Sequence, residues 1–284
     1  MDTVVTIVLC IVAVLLINTC IFLLMMMPSH KRLAGMKKFD GIMLAHRGLH
    51  GGSIAENSIP AFAAAADRGI GIELDVRLSS DGEVVIFHDD TLERMTGMSG
   101  GVSNYTAKEL AKLSLADTGY GIPTLREVLA LVNGRVPLLV ELKENVGDTT
   151  VTERTAELLR DYSGDFMVES FNPLAVDHFH RLMPEIPAGL LCRNYMKHRE
   201  LRSFKTFAAQ NMLTNCFAHP DFIAYAYEDR RNAALRILRL ISPSTPILAW
   251  TIRSPEQEIT ARKCGFTGFI FEGYTPAHND ERKQ

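Results

Sequence analysis

Little in this chain of 284 residues indicates disulfides, thiolate metal sites or nucleic-acid binding. The five cysteines lack the paired spacing of a zinc site or a disulfide framework, and they stand at Cys10, Cys20, Cys192, Cys216 and Cys264. The formal net charge is −3, without the basic excess that binding to a polyanion requires. We therefore expect no nucleic-acid partner.

Charge is also missing from positions 3 to 27, which are almost entirely apolar. An α-helix of that length is about 38 Å long, enough to cross a hydrocarbon core of roughly 30 Å. A cleaved signal peptide is the competing interpretation, but the segment has no basic start and no small-residue cleavage site after it. The sequence thus predicts a single-pass transmembrane anchor over residues 1–27.

The charges that flank this segment predict its orientation. Only Asp2 precedes it, whereas several basic residues follow it: His30, Lys31, Arg32, Lys37 and Lys38. The positive-inside rule predicts that the main domain lies in the cytoplasm. We predict a basic linker over 28–40, the main domain over 41–276, and a polar tail over 277–284.

A β-hairpin is predicted near the start of the main domain. Residues 70–78 and 83–88 are rich in strand-forming side chains, and the four residues 79–82 between them, Ser-Ser-Asp-Gly, are typical of a hairpin turn.

The hairpin brings ionisable side chains together. If Leu78 faces Glu83, then Glu73 faces His88. Strand residues alternate faces, so Glu73 and Asp75 share one face. Because paired carboxylates are costly to desolvate without a cation, the hairpin predicts a metal site beside a proton-transfer group. A solvent-facing hairpin edge is the alternative.

Strand-like and helix-like runs alternate along the rest of the chain. We predict parallel strands at 42–45, 70–78, 136–143, 166–171, 186–191, 212–217, 247–252 and 266–271. Helices are predicted at 59–68, 124–132, 148–161, 173–182, 222–241 and 255–263. Eight strand–helix units in about 245 residues predict an α/β fold, the (β/α)8 TIM barrel, with an insertion at about 89–122.

Chemically active side chains fall at or near the predicted strand ends, where such barrels carry their active sites. They are His46, Arg47, Glu73, Asp75, Glu141, Lys143, Ser170 and Trp250. The three carboxylates offer only oxygen, which favours Mg²⁺ or Ca²⁺. The arginine and lysine suit an anionic phosphate ester, and the histidines His46 and His88 can act as acid and base.

These residues form an ordered set of motifs that resembles the glycerophosphodiester phosphodiesterase family. The motifs are Ala45-His46-Arg47-Gly48, Glu56-Asn57-Ser58, Phe62, Gly71-Ile72-Glu73-Leu74-Asp75-Val76, Asp81-Gly82, His88-Asp89, Pro123-Thr124-Leu125, Glu141-Leu142-Lys143, Ser170-Phe171 and Ala249-Trp250-Thr251. The resemblance implies a TIM barrel with a small inserted segment.

The resemblance also implies residue roles. Metal ligands would be Glu73, Asp75 and Glu141, with one divalent cation, Mg²⁺ or Ca²⁺. The acid/base pair would be His46 and His88, the phosphate would meet Arg47 and Lys143, and Trp250 would form an apolar wall. A substrate hydroxyl would attack first and give a cyclic phosphate that water opens.

Two stretches depart from the family pattern. The closing motif usually ends in Thr-Asp, whereas this chain has Phe271-Glu272. Residues 192–239 match poorly and include a basic and aromatic run at Arg193, Tyr195, Lys197, His198, Arg199, Arg202 and Lys205. A solvated helix face is the favoured interpretation of this run, and a membrane-contact patch is the alternative.

The sequence therefore predicts a membrane-anchored, metal-dependent phosphodiesterase. Its substrate would be a glycerophosphodiester or a lysophospholipid, hydrolysed to glycerol 3-phosphate or lysophosphatidate and an alcohol. The alternatives are a phospholipase D-like enzyme that releases a cyclic phosphate, and a catalytically silent barrel that binds lipid headgroups or a protein partner.

Overall fold

The computed structural model describes residues 3–144, 147–195, 197 and 203–276. The predicted tail at 277–284 lies outside them. The described helices are α1 (Thr3–Met25), α2 (Leu33–Met36), α3 (Ile59–Asp67), α4 (Glu93–Thr96), α5 (Ala107–Leu110), α6 (Leu125–Val132), α7 (Thr150–Arg160), α8 (Pro173–Leu182), α9 (Phe204–Gln210), α10 (Asn215–Ala218), α11 (Ala233–Ile241) and α12 (Pro255–Lys263). The strands are β1 (Met43–Ala45), β2 (Gly71–Leu78), β3 (Val84–Ile86), β4 (Leu138–Leu142), β5 (Phe166–Ser170), β6 (Ala188–Cys192), β7 (Phe222–Ala226), β8 (Ile247–Ile252) and β9 (Gly268–Phe271).

Eight of these strands close into a parallel barrel. β1 pairs with β9 on one side and with β2 on the other, and the remaining neighbours follow in the order β8, β7, β6, β5, β4, β2. β3 pairs antiparallel with β2 outside the barrel. The predicted (β/α)8 fold is confirmed.

The seventh barrel strand was placed wrongly by the sequence. The segment 212–217, predicted as extended, contains a buried turn and the start of α10, whereas the strand is Phe222–Ala226. The predicted helix 222–241 begins only at Ala233. A five-residue apolar run that is buried on both faces has no periodicity to distinguish a strand from a helix, which explains the error.

The predicted hairpin register was also wrong, by one residue. Leu78 pairs with Val84, and Val76 pairs with Ile86. β3 ends at Ile86, so His88 is not a ladder partner of Glu73. His88 instead lies on the segment that follows the strand.

Apolar side chains pack in two layers. One cluster fills the barrel interior with Leu44, Leu139, Met167, Leu191, Phe222, Ala224, Leu248 and Ile270. A larger cluster lies between the strands and the surrounding helices. The insertion carries a third, small cluster that includes Leu92, Val102 and Leu110, so it packs as a unit beside the barrel.

The segment between α1 and β1, predicted as a basic linker, packs against the barrel. Met36 and Phe39 are buried in the interior cluster. Arg32 lies 3.2 Å from Asp221, which also accepts hydrogen bonds from His180 Nε2 and the Ala188 amide. His180 therefore has a carboxylate partner that the sequence did not reveal.

Loss of the Asp221 carboxylate should destabilise the protein strongly. We expect Asp221→Ala to lower the free energy of unfolding by about 3–5 kcal/mol, because it leaves Arg32, His180 and the Ala188 amide without the buried carboxylate that they share. Asp165→Ala is the control, since Asp165 pairs with Lys38 at the exposed surface, where ion pairs contribute about 0–1 kcal/mol. Chemical denaturation measures both variants, and equal losses would contradict the assignment.

Candidate active site

The candidate site lies next to the apolar interior layer, towards the carboxyl-terminal end of the barrel strands. Side chains along a strand point to the same face every second residue. Two residues beyond Leu44, Leu139, Met167, Leu248 and Ile270 come His46, Glu141, Glu169, Trp250 and Glu272 respectively. Four of these five residues are ionisable, and Trp250 is the exception, so the interior changes from apolar to mostly ionisable at the carboxyl-terminal end of the strands.

Four buried acidic side chains meet at this level. The strand register places Asp75 beside Glu141, and Glu141 beside Glu169. Glu73, two residues before Asp75, points to the same face. Ligand oxygens of Glu73, Asp75 and Glu141 all lie within 4.8 Å of one another. The predicted trio of carboxylates is therefore brought together.

Two cationic side chains lie against these acids. The Nζ atom of Lys143 is 2.6 Å from Glu141 Oε1 and 3.0 Å from Asp75 Oδ1. Arg47 Nη1 is 2.7 Å from Glu56 Oε1, and Arg47 Nε is 3.5 Å from Asp75 Oδ2. The positive charges compensate part of the cost of burying the carboxylates.

The loop after β1 needs an unusual backbone to place Arg47. Arg47 has φ 58°, in the left-handed region, and its amide donates to Glu73 Oε2 at 2.8 Å. The next residue, Gly48, has φ 82°, and a Cβ there would lie 2.8 Å from the Ala61 backbone. Strain of this kind is typical of functional loops held by their surroundings.

Each histidine has its own carboxylate. His46 Nδ1 is 3.0 Å from Glu272 Oε2, and His46 Nε2 faces Glu73 Oε2 at 4.0 Å. His88 Nδ1 is 2.6 Å from Asp89 Oδ1. Because the carboxylate engages Nδ1 in both rings, Nε2 is left to exchange a proton with a substrate.

The partner of His88 is itself held in place. Arg94, from α4 of the insertion, pairs with Asp89, and its Nη2 lies 2.6 Å from Glu56 Oε1. Glu56 also pairs with Arg47. Arg94 of the insertion is therefore connected to His88 through Asp89 and to Arg47 through Glu56. We call the open, charged end of the barrel that these residues surround the mouth.

Burial and charge shift the protonation of these groups. Burial, together with Asp75 and Glu141, raises the pKa of Glu73 well above its usual value. Burial also raises the pKa of Glu141 to about 7, although Lys143 opposes this shift. Burial would raise the pKa of Asp75 as well, but Lys143 and neighbouring positive groups outweigh it and lower that pKa.

Both imidazoles favour the neutral form. Burial is the largest cause that lowers the pKa of His46, and the hydrogen bond with Glu272 opposes it. Burial also lowers the pKa of His88. The hydrogen bond from His46 lowers the pKa of Glu272 to about 2, so this carboxylate stays ionised.

An aromatic wall borders the mouth. Trp250 is half-buried within β8, two residues before its end, and its Nε1 donates to the Ala224 carbonyl at 3.0 Å. The Phe171 ring packs edge-on against it with centroids 5.7 Å apart. The Arg193 guanidinium lies over the Phe171 ring, with its central carbon 5.9 Å from the ring centre.

The sequence alone missed three contributors, which are Arg94, Glu272 and Glu169. Glu272 stood out only as a departure from the family pattern, and its contact with His46 was not foreseen. Glu169 was overlooked beside the Ser170-Phe171 motif, although it is buried and its Oε2 has no hydrogen-bond partner among the described residues. Its position along the strand could have indicated it, because Glu169 lies two residues after the buried Met167, just as Glu141 lies two residues after the buried Leu139.

The closed barrel and its charged mouth define a (β/α)8 enzyme of the phosphodiesterase class. Residues 46–273 match the glycerophosphoryl diester phosphodiesterase family, and the chain belongs to that family. Its members are phosphoric diester hydrolases. The resemblance found in the sequence is thereby confirmed.

Individual relatives agree. A glycerophosphodiester phosphodiesterase of Bacillus altitudinis is 34% identical over 185 residues, which cover 61% of this chain and 75% of the relative. The solved glycerophosphodiester phosphodiesterase of Thermotoga maritima is 26% identical with a TM-score of 0.62, over 81% of this chain and 94% of that one. An Oleispira antarctica phosphodiesterase, solved with sn-glycerol-3-phosphate, superposes with a TM-score of 0.68 at 23% identity, over 83% and 94% of the two chains.

Removal of the Glu272 charge should move one limb of the pH–activity profile. Because Glu272 raises the pKa of His46, Glu272→Gln should lower that pKa further. If His46 takes part in proton transfer, the kcat/KM limb that reports it should then shift to lower pH, whether the ring acts as acid or base. Glu256→Gln, on the exposed first turn of α12, is the control, and an unmoved limb in Glu272→Gln would contradict the assignment.

Proposed function

We propose that the chain hydrolyses glycerophosphodiesters or lysophospholipids with His46 and His88 as the acid/base pair and a divalent cation as cofactor. The observation that carries the proposal is the convergence of Glu73, Asp75 and Glu141 beside two histidines, each oriented by its own carboxylate. The products would be glycerol 3-phosphate or lysophosphatidate, and an alcohol.

The acidic trio fits a hard cation. It offers only carboxylate oxygens, as Mg²⁺ and Ca²⁺ prefer, and their separation allows one ion to be shared. The raised pKa values of Glu73 and Glu141 reflect burial and mutual repulsion, which a bound cation would relieve. When bound, the cation would neutralise charge on a phosphate oxygen.

The cationic side chains of the protein would bind the phosphate. Lys143 and Arg47 lie within contact of the acidic trio, so a phosphate next to that trio would also meet them. Release of Lys143 from Asp75 and Glu141 would let its ammonium turn to the substrate. Trp250 and Phe171 would pack against the apolar part of the substrate.

The two imidazoles would share the proton transfers. In the first half-reaction, one Nε2 takes the proton of a substrate hydroxyl next to the phosphate, and that oxygen attacks phosphorus. The other imidazole enters this step as an imidazolium, a form that Asp75 and the anionic phosphate favour over the neutral ring. Its Nε2 gives a proton to the departing alkoxide as the bond from phosphorus to that oxygen breaks, and a cyclic phosphate remains. In the second half-reaction water attacks, the roles reverse, and both rings return to their starting state.

Assays of soluble and lipid substrates test this function. With Mg²⁺ or Ca²⁺ we expect turnover of glycerophosphocholine or lysophosphatidylcholine, and His46→Ala, His88→Ala and Glu73→Ala should each lose roughly 10²-fold or more in kcat. His178→Ala is the matched control, because His178 pairs with Glu153 on the outer helices.

The assay outcomes separate the alternatives. Accumulated cyclic phosphate would favour the phospholipase D-like reaction. Absence of turnover on any diester, with metal still bound, would favour a silent barrel that binds headgroups. Equal activity of His46→Ala and the wild type would contradict the acid/base assignment.

Metal binding should compete with protons. Without metal, the pKa of Glu141 is about 7 in the folded state and about 4.5 in the unfolded state, so the folded state binds more protons between these pH values. The free energy of unfolding therefore falls as pH rises from about 4.5 to about 7. A divalent cation should therefore raise the melting temperature more at about pH 8 than at about pH 5.5. Equal shifts at both pH values, or the same shift in Glu73→Ala, would contradict the cation site.

We also propose that α1 anchors the enzyme in a bilayer with the barrel in the cytoplasm. α1 is long and apolar enough to span a membrane, and a signal sequence would pass the same test. The residue that follows α1 is packed into the barrel domain: Met26 is fully buried, and its carbonyl accepts a hydrogen bond from Asn215 Nδ2 at 2.7 Å. Such packing supports an anchor that stays attached rather than a signal that is cleaved. Orientation rests on the basic residues after the helix.

A further inference from the structure

Three exposed phenylalanines occur in the connection between β6 and β7. Phe204 is 78% exposed, Phe207 44% and Phe217 59%. Phe204 and Phe207 are three residues apart on α9, so they share one face of the helix. We call these three side chains the β6–β7 patch. Grouped aromatic exposure of this kind marks an interaction surface rather than ordinary solvent-facing side chains.

The patch lies where α1 meets the barrel. α10, which carries Phe217, contacts α1, and Asn215 of α10 donates to the Met26 carbonyl. α9 continues into α10 through a tight turn in which the Leu213 amide donates to Ala208 at 2.9 Å. Only the last turn of α1 packs on the protein, and residues 3–21 are exposed.

If α1 spans a bilayer, its length determines that the bilayer surface lies near this patch. Its 23 residues span about 35 Å, little more than a hydrocarbon core of roughly 30 Å. Nearly the whole helix is needed to cross the membrane. The membrane–water interface therefore falls at the last turn of α1, directly beside α10.

The composition of the connection suits a lipid surface. Residues 203–219 contain Lys205 and His219 but no aspartate or glutamate. Lys205 is exposed between Phe204 and Phe207. Aromatic rings with an interspersed cation bind the interface of bilayers that contain anionic lipids.

Two further apolar side chains are exposed on or next to α8, which neighbours the patch. α8 packs on α10, and Leu174 near its start is exposed. Phe171, just before α8, packs on Trp250 at the candidate active site. Phe171 and Leu174 follow the carboxyl-terminal end of β5, so they lie at the end of the barrel that carries the candidate site, whereas α10 precedes the amino-terminal end of β7.

We propose that the β6–β7 patch inserts into the bilayer surface beside α1 and fixes the orientation of the barrel on the membrane. The inference rests on the proposal that α1 spans a bilayer, and it does not depend on hydrolytic activity. A second copy of the chain is the competing occupant of the patch.

Photo-crosslinking of the full-length chain in vesicles of phosphatidylcholine and phosphatidylglycerol tests the proposal. p-Benzoylphenylalanine replaces Phe207 in one variant and the more exposed Phe204 in a second. Ile259 on α12, 54% exposed, is the matched control position, and Leu16 on α1 reports the anchor. Mass spectrometry then measures lipid adducts after illumination.

We expect lipid adducts at Leu16, Phe204 and Phe207, with several-fold more at the two phenylalanine positions than at Ile259. Adducts at Leu16 with no excess at Phe204 or Phe207 would overturn the patch and leave the anchor. Protein–protein crosslinks at Phe204 and Phe207 in place of lipid adducts would assign the patch to a second copy. Absence of adducts at Leu16 and both phenylalanines would overturn anchor and patch together.

Discussion

Burial of like charges at the top of the barrel is the constraint on which the site depends. Glu73, Asp75 and Glu141 are almost fully buried, and Glu169 is buried next to them. An uncompensated buried charge costs several kcal/mol, so such a cluster persists only if cations or protons neutralise it. Lys143 and Arg47 supply part of the compensation, and the raised pKa of Glu141 shows that it is incomplete. A further positive charge among these carboxylates would stabilise their ionised forms.

The same constraint organises the groups around the acids. Arg47 is held in a left-handed conformation while its amide donates to Glu73, and its guanidinium connects to Glu56. Glu56 in turn meets Arg94 of the insertion, which holds the carboxylate beside His88. The inserted segment thereby acts on the site through Arg94, although its own apolar cluster lies beside the barrel. Glu272, the residue that follows β9, is the corresponding carboxylate partner of His46.

Much of this could be predicted from the sequence, because strand ends and their chemistry are local properties. The period-two placement of Glu73 and Asp75 and the capping box of Thr124 with Glu127 needed only neighbouring residues. The contact of Glu272 with His46 could not be predicted, because closure of the barrel brings together residues 226 positions apart. The predicted hairpin register was wrong because the composition of the turn does not determine whether Leu78 pairs with Glu83 or with Val84. The predicted position of β7 was wrong because a strand that is buried on both faces has no alternating polar residues to mark it.

The packing of residues 26–39 against the barrel was equally invisible in sequence. Arg32 and Lys38 look like flanking charges of a membrane segment, yet they pair with Asp221 and Asp165. α1 is therefore joined to the barrel by a packed segment rather than by a free tether. That arrangement positions the mouth relative to any bilayer that α1 enters.

Crystals grown with Mn²⁺ as a probe for the divalent cation, measured at the manganese absorption edge, test the central claim most directly. The account predicts one anomalous peak within roughly 2–2.6 Å of oxygens from Glu73, Asp75 and Glu141, with the Lys143 ammonium displaced from between Asp75 and Glu141. An anomalous map without a peak among these carboxylates, and with Lys143 still bridging them, would contradict it.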